Sequence, residues 1–325
     1  MGHGKLRKFA ENETFSCLLQ PSAEEVLAEG YFNLADHPVK GRWIEQMFGG
    51  HEGDIVLELG CGKGEYTLEL ARRNPDKNYI GVDIKGARLW RGAKTATEEG
   101  LRNVAFLRTR IEFITAFFGP GEVSEIWLTF SDPQLRASEN KRLSSAMFLD
   151  RYRHFLRPGG IIHLKTDSRF LYEYTLAVAR VNSLPILAST TDLYGRQSLE
   201  SGSPCAGGTP FALPEWHRSL RPLPQSTSSS LRDNSYLAGP SPCPSPGVET
   251  PASTRLPDSA GVIPPEVREV KTFYESMFLE MGLPITYLEF CPDHDGPYIN
   301  PRDPEDFDSA AWRIAEGPRR SFSHQ

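Results

Sequence analysis

The chain has 325 residues, 39% of them hydrophobic and 24% charged, with a formal net charge of −6. That is globular composition with apolar mass for one sizeable core, and the acidic sign means that any nucleic-acid contact has to be local. The five cysteines are scattered, odd in number and form no C-x-x-C pair, a pattern that indicates neither a disulfide framework nor a zinc site. No run approaches the roughly 18 apolar residues of a membrane span, and the start of the chain lacks the apolar core of a signal peptide, so a cytoplasmic protein is expected.

Residues 1–50 read as an extension with a short basic start (Lys5, Arg7, Lys8) and two short helices, Ser22–Phe32 and Val39–Phe48. Asp54–Leu59 is a β-rich apolar run ahead of glycines, which predicts a buried strand. Helical spacing follows over Glu65–Arg73, a strand over Asn78–Asp83, and a helix over Ala87–Glu99 stopped by Gly100. Asn103–Arg108 is a third strand, Ile111–Phe118 a short helix and Val123–Phe130 a fourth strand. Leu143–Leu156 reads as an amphipathic helix closed by Pro158, Gly159 and Gly160. Strand Ile161–Thr166, helix Phe170–Val181 and strand Ile186–Thr190 complete the alternation. Such βαβ units predict an α/β fold with a mostly parallel sheet and helices on both faces. Right-handed crossovers then put the strand C-terminal ends, and their loops, on one edge.

Between Gly195 and Val262 the composition changes: 11 prolines, 13 serines and 7 glycines fall among 68 residues. A stretch of this kind cannot bury enough apolar area to offset its ordering entropy, and reads as a disordered insertion. Helical spacing returns over Glu266–Gly282 and a last strand over Ile285–Phe290. Orphaned otherwise, these two elements are expected to rejoin the sheet, giving one domain over 51–194 and 263–290. Residues 291–325, rich in proline and aspartate, read as a loose tail.

The main chemical signal is Glu58-Leu59-Gly60-Cys61-Gly62-Lys63-Gly64, a strand running into glycines and then a helix. Gly60, Gly62 and Gly64 allow close approach of backbone to a ligand, beside the free N–H groups of a helix start. Asp83 ends the next strand, 25 residues after Glu58, where an acid accepts hydrogen bonds from two ribose hydroxyls. Both dinucleotide enzymes and methyltransferases use that device. Glu58 and the G-x-G-x-G spacing favour the latter, because a carboxylate in the turn suits the amino group of methionine and opposes a pyrophosphate. A second signal is Phe130-Ser131-Asp132-Pro133-Gln134-Leu135-Arg136 at the end of the fourth strand, with Pro133 stiffening the loop that carries Asp132. Beyond it Arg136, Lys141, Arg142, Arg151, Arg153 and Arg157 form a local basic cluster suited to phosphates.

Taken with VLELGCGKGEYTLELA, YIGVDIKGARLWRGAKTATEEGLRNV, TFSDPQLRASENKRLSSAMFLDRYRHFLRPGGIIHLKTDS and VKTFYESMFLEMG, these motifs make the chain resemble the tRNA (guanine-N7)-methyltransferase family, in particular a bacterial branch. The resemblance runs from Lys5 to Phe290 without the insertion. It implies a class I, Rossmann-like methyltransferase fold, S-adenosylmethionine as cofactor and tRNA as partner, with methylation of N7 of the guanine at position 46 of the variable loop. It makes Glu58 the cofactor carboxylate, Asp83 the ribose acid and Asp132 the catalytic acid bordering the cofactor. Arg136 falls at a substrate-contacting lysine, Asp167 at an acid of the substrate pocket, and Thr272 to Glu275 at a T-x-x-E motif that contacts the target nucleotide. Three departures stand out: Ser131 replaces the first proline of F-P-D-P, Arg110 occupies a cofactor position where many members carry an acid, with Glu112 a substitute for it, and the insertion precedes the T-x-x-E segment.

Guanine N7 carries a lone pair and no proton, so it needs alignment with the methyl group rather than a general base. Carboxylates beside the ring stabilise the positive charge that develops on it and accept from N1–H and the 2-amino group. On this reading Asp132 orients the base, Asp167 and Glu275 hold it, and Arg136, Lys141 and Arg142 hold phosphates. Two alternatives keep the fold: an amino-methyltransferase acting on adenine or cytosine, and a tRNA-binding protein whose catalysis has decayed. No obligate protein partner is inferred, and the oligomeric state is left open.

Overall fold

A computed structural model describes residues 3–27, 30, 33–195 and 262–316, all within one compact unit. Apart from Gly195 and Val262, the expected insertion lies outside the described residues. Eight strands form one sheet: β1 (Leu18–Leu19), β2 (Ile55–Leu59), β3 (Asn78–Asp83), β4 (Val104–Arg108), β5 (Val123–Thr129), β6 (Leu156–Thr166), β7 (Ile186–Thr190) and β8 (Thr286–Phe290). Their order is β1-β4-β3-β2-β5-β6-β8-β7. Only β8 runs against its neighbours, pairing antiparallel with β6 and β7. Every residue of β2 and β3 is buried, as a parallel strand covered on both faces requires. The chain leaves β2 towards β3 on one side and returns to β5 on the other, so the crevice between the ends of β2 and β5 is the topological switch point.

Helices α4 (Glu65–Arg73), α5 (Gly86–Glu99), α6 (Ala146–Tyr152) and α7 (Arg169–Val181) make the crossovers. Helix α1 (His3–Asn12), which sequence patterning does not reveal, packs on α5: Trp90 Nε1 donates to Glu11 at 2.6 Å and Asn12 Nδ2 to the Gly86 carbonyl at 3.0 Å. Of the two expected helices of the extension, the first holds α2 (Ala23–Val26), with residues 28, 29, 31 and 32 outside the described residues, and the second shrinks to a single turn, α3 (Trp43–Gln46). The second is fixed by Trp43, fully buried, stacked on Phe118 and donating to the Phe117 carbonyl at 2.8 Å. No helix among the described residues is long and apolar enough to cross a membrane.

Three expectations are corrected. The helix predicted over Leu143–Leu156 is α6 alone, because β6 begins at Leu156, opposite Val123, and runs through Pro158, Gly159 and Gly160. These glycines make a bulge in the strand, not a helix stop: the register shifts between Val123 and Glu125, and Gly159 has φ 72°. The helix predicted over Glu266–Gly282 is broken into α8 (Pro265–Glu269) and α9 (Phe273–Glu280), since Val270 is extended and Thr272 caps α9 by accepting from Glu275 N at 3.2 Å.

The segment after Cys291, expected to be loose, is tied down as far as it is described. Asn300 Oδ1 accepts from Ala146 N at 2.9 Å and from the Tyr174 hydroxyl at 3.0 Å. Asn182 clasps the backbone of Ile299 through both N–H and C=O at 2.8 Å. Phe307 is buried edge-on against Phe170 and Tyr174, and α10 (Ser309–Glu316) follows it. Composition hid this because the partners lie more than a hundred residues upstream.

Candidate active site

The glycine turn closes over the end of β2. Gly62 has φ 60° and Gly64 φ 73°, in the left-handed region that glycine enters at no steric cost. Gly64 has a second constraint, since a Cβ there would lie 2.5 Å from Phe106. Around Gly60 and Gly62, in contrast, no atom comes within 4 Å of an added Cβ, so the turn borders open space. Asp83 stabilises it, accepting from Gly62 N at 3.1 Å and from Lys85 N at 2.7 Å. The acid at the end of β3 is therefore placed at the turn.

Glu58 is buried beneath the same turn. One oxygen accepts from Thr67 N at 2.8 Å and from the Thr67 hydroxyl, and the other from the Thr129 hydroxyl at 2.5 Å. Gly64, at the start of α4, has no side chain to cap the helix, so Glu58 serves one of its free N–H groups, that of Thr67, from the strand below. Burial pushes the carboxyl up to about 7, against the pull of the threonine hydrogen bonds.

The Asp132 loop leaves β5 beside this turn, because β5 pairs with β2 and Trp127 stands opposite Glu58. It begins with backbone strain. Phe130 has φ 48°, a conformation that costs of order 1–3 kcal/mol for a non-glycine residue and persists only where its surroundings enforce it. Asp132 is exposed and accepts from Gln134 N at 2.9 Å, which shapes the loop but leaves the carboxylate open to solvent. Asp167, half-buried, follows the end of β6 on the same edge. A cavity of about 670 Å³ lies elsewhere, lined by Asp54, Ile55, Glu122, Ser124 and Arg157 at the strands' opposite ends. Of the predicted residues it has Arg157 alone, and the motif-bearing edge is the better candidate.

A family model described as "Putative methyltransferase" matches residues 52–197. A tRNA (guanine-N(7)-)-methyltransferase of Christiangramia forsetii is 43% identical over 287 residues, covering 88% of this chain and 96% of that protein. The chain belongs to the tRNA (guanine-N(7)-)-methyltransferase family. Proteins of the same name from Bacteroides thetaiotaomicron and Porphyromonas gingivalis are 52% and 54% identical, covering 60% and 50% of this chain and 74% and 66% of theirs.

Within this methyltransferase the remaining predicted residues separate. Arg136 and Lys141 are exposed beyond the Asp132 loop. Arg142 is not available to phosphates: it is buried between the rings of Phe170 and Tyr174, at 4.8 and 4.3 Å, and donates to the Pro133 carbonyl at 3.1 Å. It holds the loop in place of touching tRNA. The rest of the expected basic cluster also disperses. Arg153 stacks on Tyr298 and donates to the Gly296 carbonyl at 2.8 Å, while Arg157 pairs with Asp54 at the far edge. Arg110 is half-exposed and paired with Glu112 at 3.2 Å, so neither stands as the free acid that the family pattern calls for.

Glu275 is likewise not exposed to a target base. Both it and Lys165 have no solvent exposure, their charged groups lie 2.8 Å apart, and the Tyr194 hydroxyl donates to Glu275 at 2.5 Å. Thr272 is its helix cap, not a free contact. Sequence reasoning missed Thr67, Thr129, Lys165 and Tyr194. The one signal for them was a lysine inside the apolar strand Ile161–Thr166, a residue that is almost never buried without a partner.

Proposed function

We propose that the protein transfers a methyl group from S-adenosylmethionine to N7 of guanine in tRNA, at position 46 of the variable loop, and that it does so in the cytoplasm. The observation that carries this reading is the adjacency of two motifs at the switch point. The glycine turn with Glu58 and Asp83 adjoins the exposed Asp132 carboxylate, in a chain related over most of its length to enzymes named for that reaction. S-adenosylmethionine supplies an electrophilic methyl group.

The residues of this chain do the rest. Gly60 and Gly62 offer the open backbone and Asp83 a second acid for a ribose, while Glu58 lies under the methionine end. Asp132 faces the guanine, accepts from its N–H groups and stabilises the charge that develops as N7 attacks. No residue has to take a proton before the attack. Asp167 is the second acid toward the base. Glu275 takes no direct part, because its charge is already answered by Lys165. Arg136 and Lys141 hold tRNA phosphates while the base is turned to the site.

The test is to incubate the full chain with unmodified tRNA and methyl-labelled S-adenosylmethionine, digest the product and identify the labelled nucleoside. Label in 7-methylguanosine, mapped to position 46, is the expected result. Label in N6-methyladenosine or a methylcytidine supports the amino-methyltransferase alternative, and S-adenosylmethionine binding too weak to detect supports the decayed one.

A further inference from the structure

The loop that carries Asp132 starts from a strained residue, so something has to hold Phe130 at its left-handed φ of 48°. Two contacts do so. Phe130 N donates to the Lys165 carbonyl at 2.9 Å, and its ring lies 6.0 Å from that of Phe278 in α9. The apolar hold of helix α9 on the core comes from half-buried side chains, Phe278 and Leu279. Phe273 and Tyr274 are exposed, and the one residue that α9 buries fully is charged, Glu275.

That charge is met by Lys165 from the sheet. The Lys165 ammonium lies 2.8 Å from the Glu275 carboxylate and donates to the Val270 carbonyl at 2.8 Å, at the break between α8 and α9. Tyr194 completes the anchor through its hydroxyl. Lys165 therefore touches the Asp132 loop with its backbone and sets the helix that braces the loop with its side chain. An apolar pair of similar volume would hold a helix as firmly, but would not fix its rotation and height by direction-dependent hydrogen bonds.

We propose that Lys165 is a positioning residue for the Ser131–Asp132 turn, acting through Glu275 and Phe278 to hold Phe130 in its strained conformation. The meaning of that turn rests on the methyl-transfer reading above, while the positioning itself does not.

The test uses the full chain, at a temperature where circular dichroism shows each variant folded. K165M alone would leave Glu275 buried and unpaired, so the informative variants are K165M/E275M, which removes the pair, and F278A, which removes only the brace. Each is expected to lower kcat on tRNA at least about tenfold while S-adenosylmethionine affinity stays within about twofold. Combining all three changes is expected to add little, because they cut the same brace. Hydrogen exchange at the amides of residues 130–132, 134 and 135 is expected to quicken in both variants. Wild-type kcat in either variant, additive losses on combination, or unchanged exchange would each overturn the proposal. If the wild-type chain labels no tRNA, the methyl-transfer reading fails, and the exchange measurement alone then decides whether Lys165 positions the turn.

Discussion

The buried carboxyl of Glu58 makes cofactor binding depend on pH in a way that can be worked out beforehand. It lies under the glycine turn at 4% exposure, and burial pushes it up to about 7, with Glu65 adding in the same direction. A donor that brings positive charge into the turn favours the ionised form. At pH 6 about one Glu58 in eleven is ionised and at pH 8 about ten in eleven, so affinity for S-adenosylmethionine rises about tenfold between them. Isothermal titration calorimetry at pH 6, 7 and 8 and constant ionic strength measures this directly. Glu58→Gln is expected to bind weakly and to lose that dependence. A flat wild-type profile, or a Glu58→Gln variant that keeps the slope, refutes the reasoning. The ligand-free chain carries the mirror image. Folded Glu58 keeps a proton that the unfolded chain releases above its ordinary value of 4.5. Its contribution is full below that value and is lost as pH rises through about 7, a change of about 3 kcal/mol at most.

Asp132→Ala is expected to lower kcat by about a hundredfold or more with little change in melting temperature, since the side chain is exposed and bonds only to Gln134 N; near wild-type turnover in a folded variant would remove Asp132 from the mechanism. Lys141→Gln should reduce the slope of tRNA affinity against salt by about one. Arg142→Gln should leave that slope alone and instead cost about 2–3 kcal/mol in denaturant unfolding, through its lost ring and carbonyl contacts. Phe307→Ala should cost about 3 kcal/mol or more, because the ring is buried between two aromatics, whereas a truly loose tail would tolerate it. Replacing residues 197–257 by a short Gly-Ser linker should shift melting by less than about 3 °C. The described ends are already joined, Arg268 donating to the Leu193 carbonyl at 3.0 Å and Leu193 N to the Ile285 carbonyl at 2.7 Å.

Strands β2, β3 and β4 were legible almost to the residue, because parallel strands buried on both faces must be short apolar runs and turn residues bound them. The glycine turn and Asp83 were legible for the same reason: their meaning is carried by local backbone geometry. What stayed hidden depends on distant partners. Arg142 reads as a surface charge until Phe170 and Tyr174 arrive from α7 to enclose it. Glu275 reads as a site acid until the C-terminal end of β6 supplies Lys165. Pro158, Gly159 and Gly160 read as a helix stop, though the pairing of Leu156 with Val123 turns them into a strand bulge. Charge and punctuation were visible in each case, but the partner that decides their role was not.

The reversed strand β8 has a consequence for how the chain is made. It lies between β6 and β7, so neither of those strands has its partner on that side until β8 has been synthesised. Phe290 leaves the ribosome 100 residues after Thr190. At about 5–20 residues per second that is an interval of roughly 5 to 20 s in which the glycine turn, Asp83 and the Asp132 loop are out and β6 presents an open edge. A nascent chain stalled in that window is the form most exposed to strand-to-strand aggregation, and the one a holding chaperone would be expected to bind. Translation speed across residues 191–285 should therefore affect the yield of folded enzyme more than translation speed anywhere before Asp167.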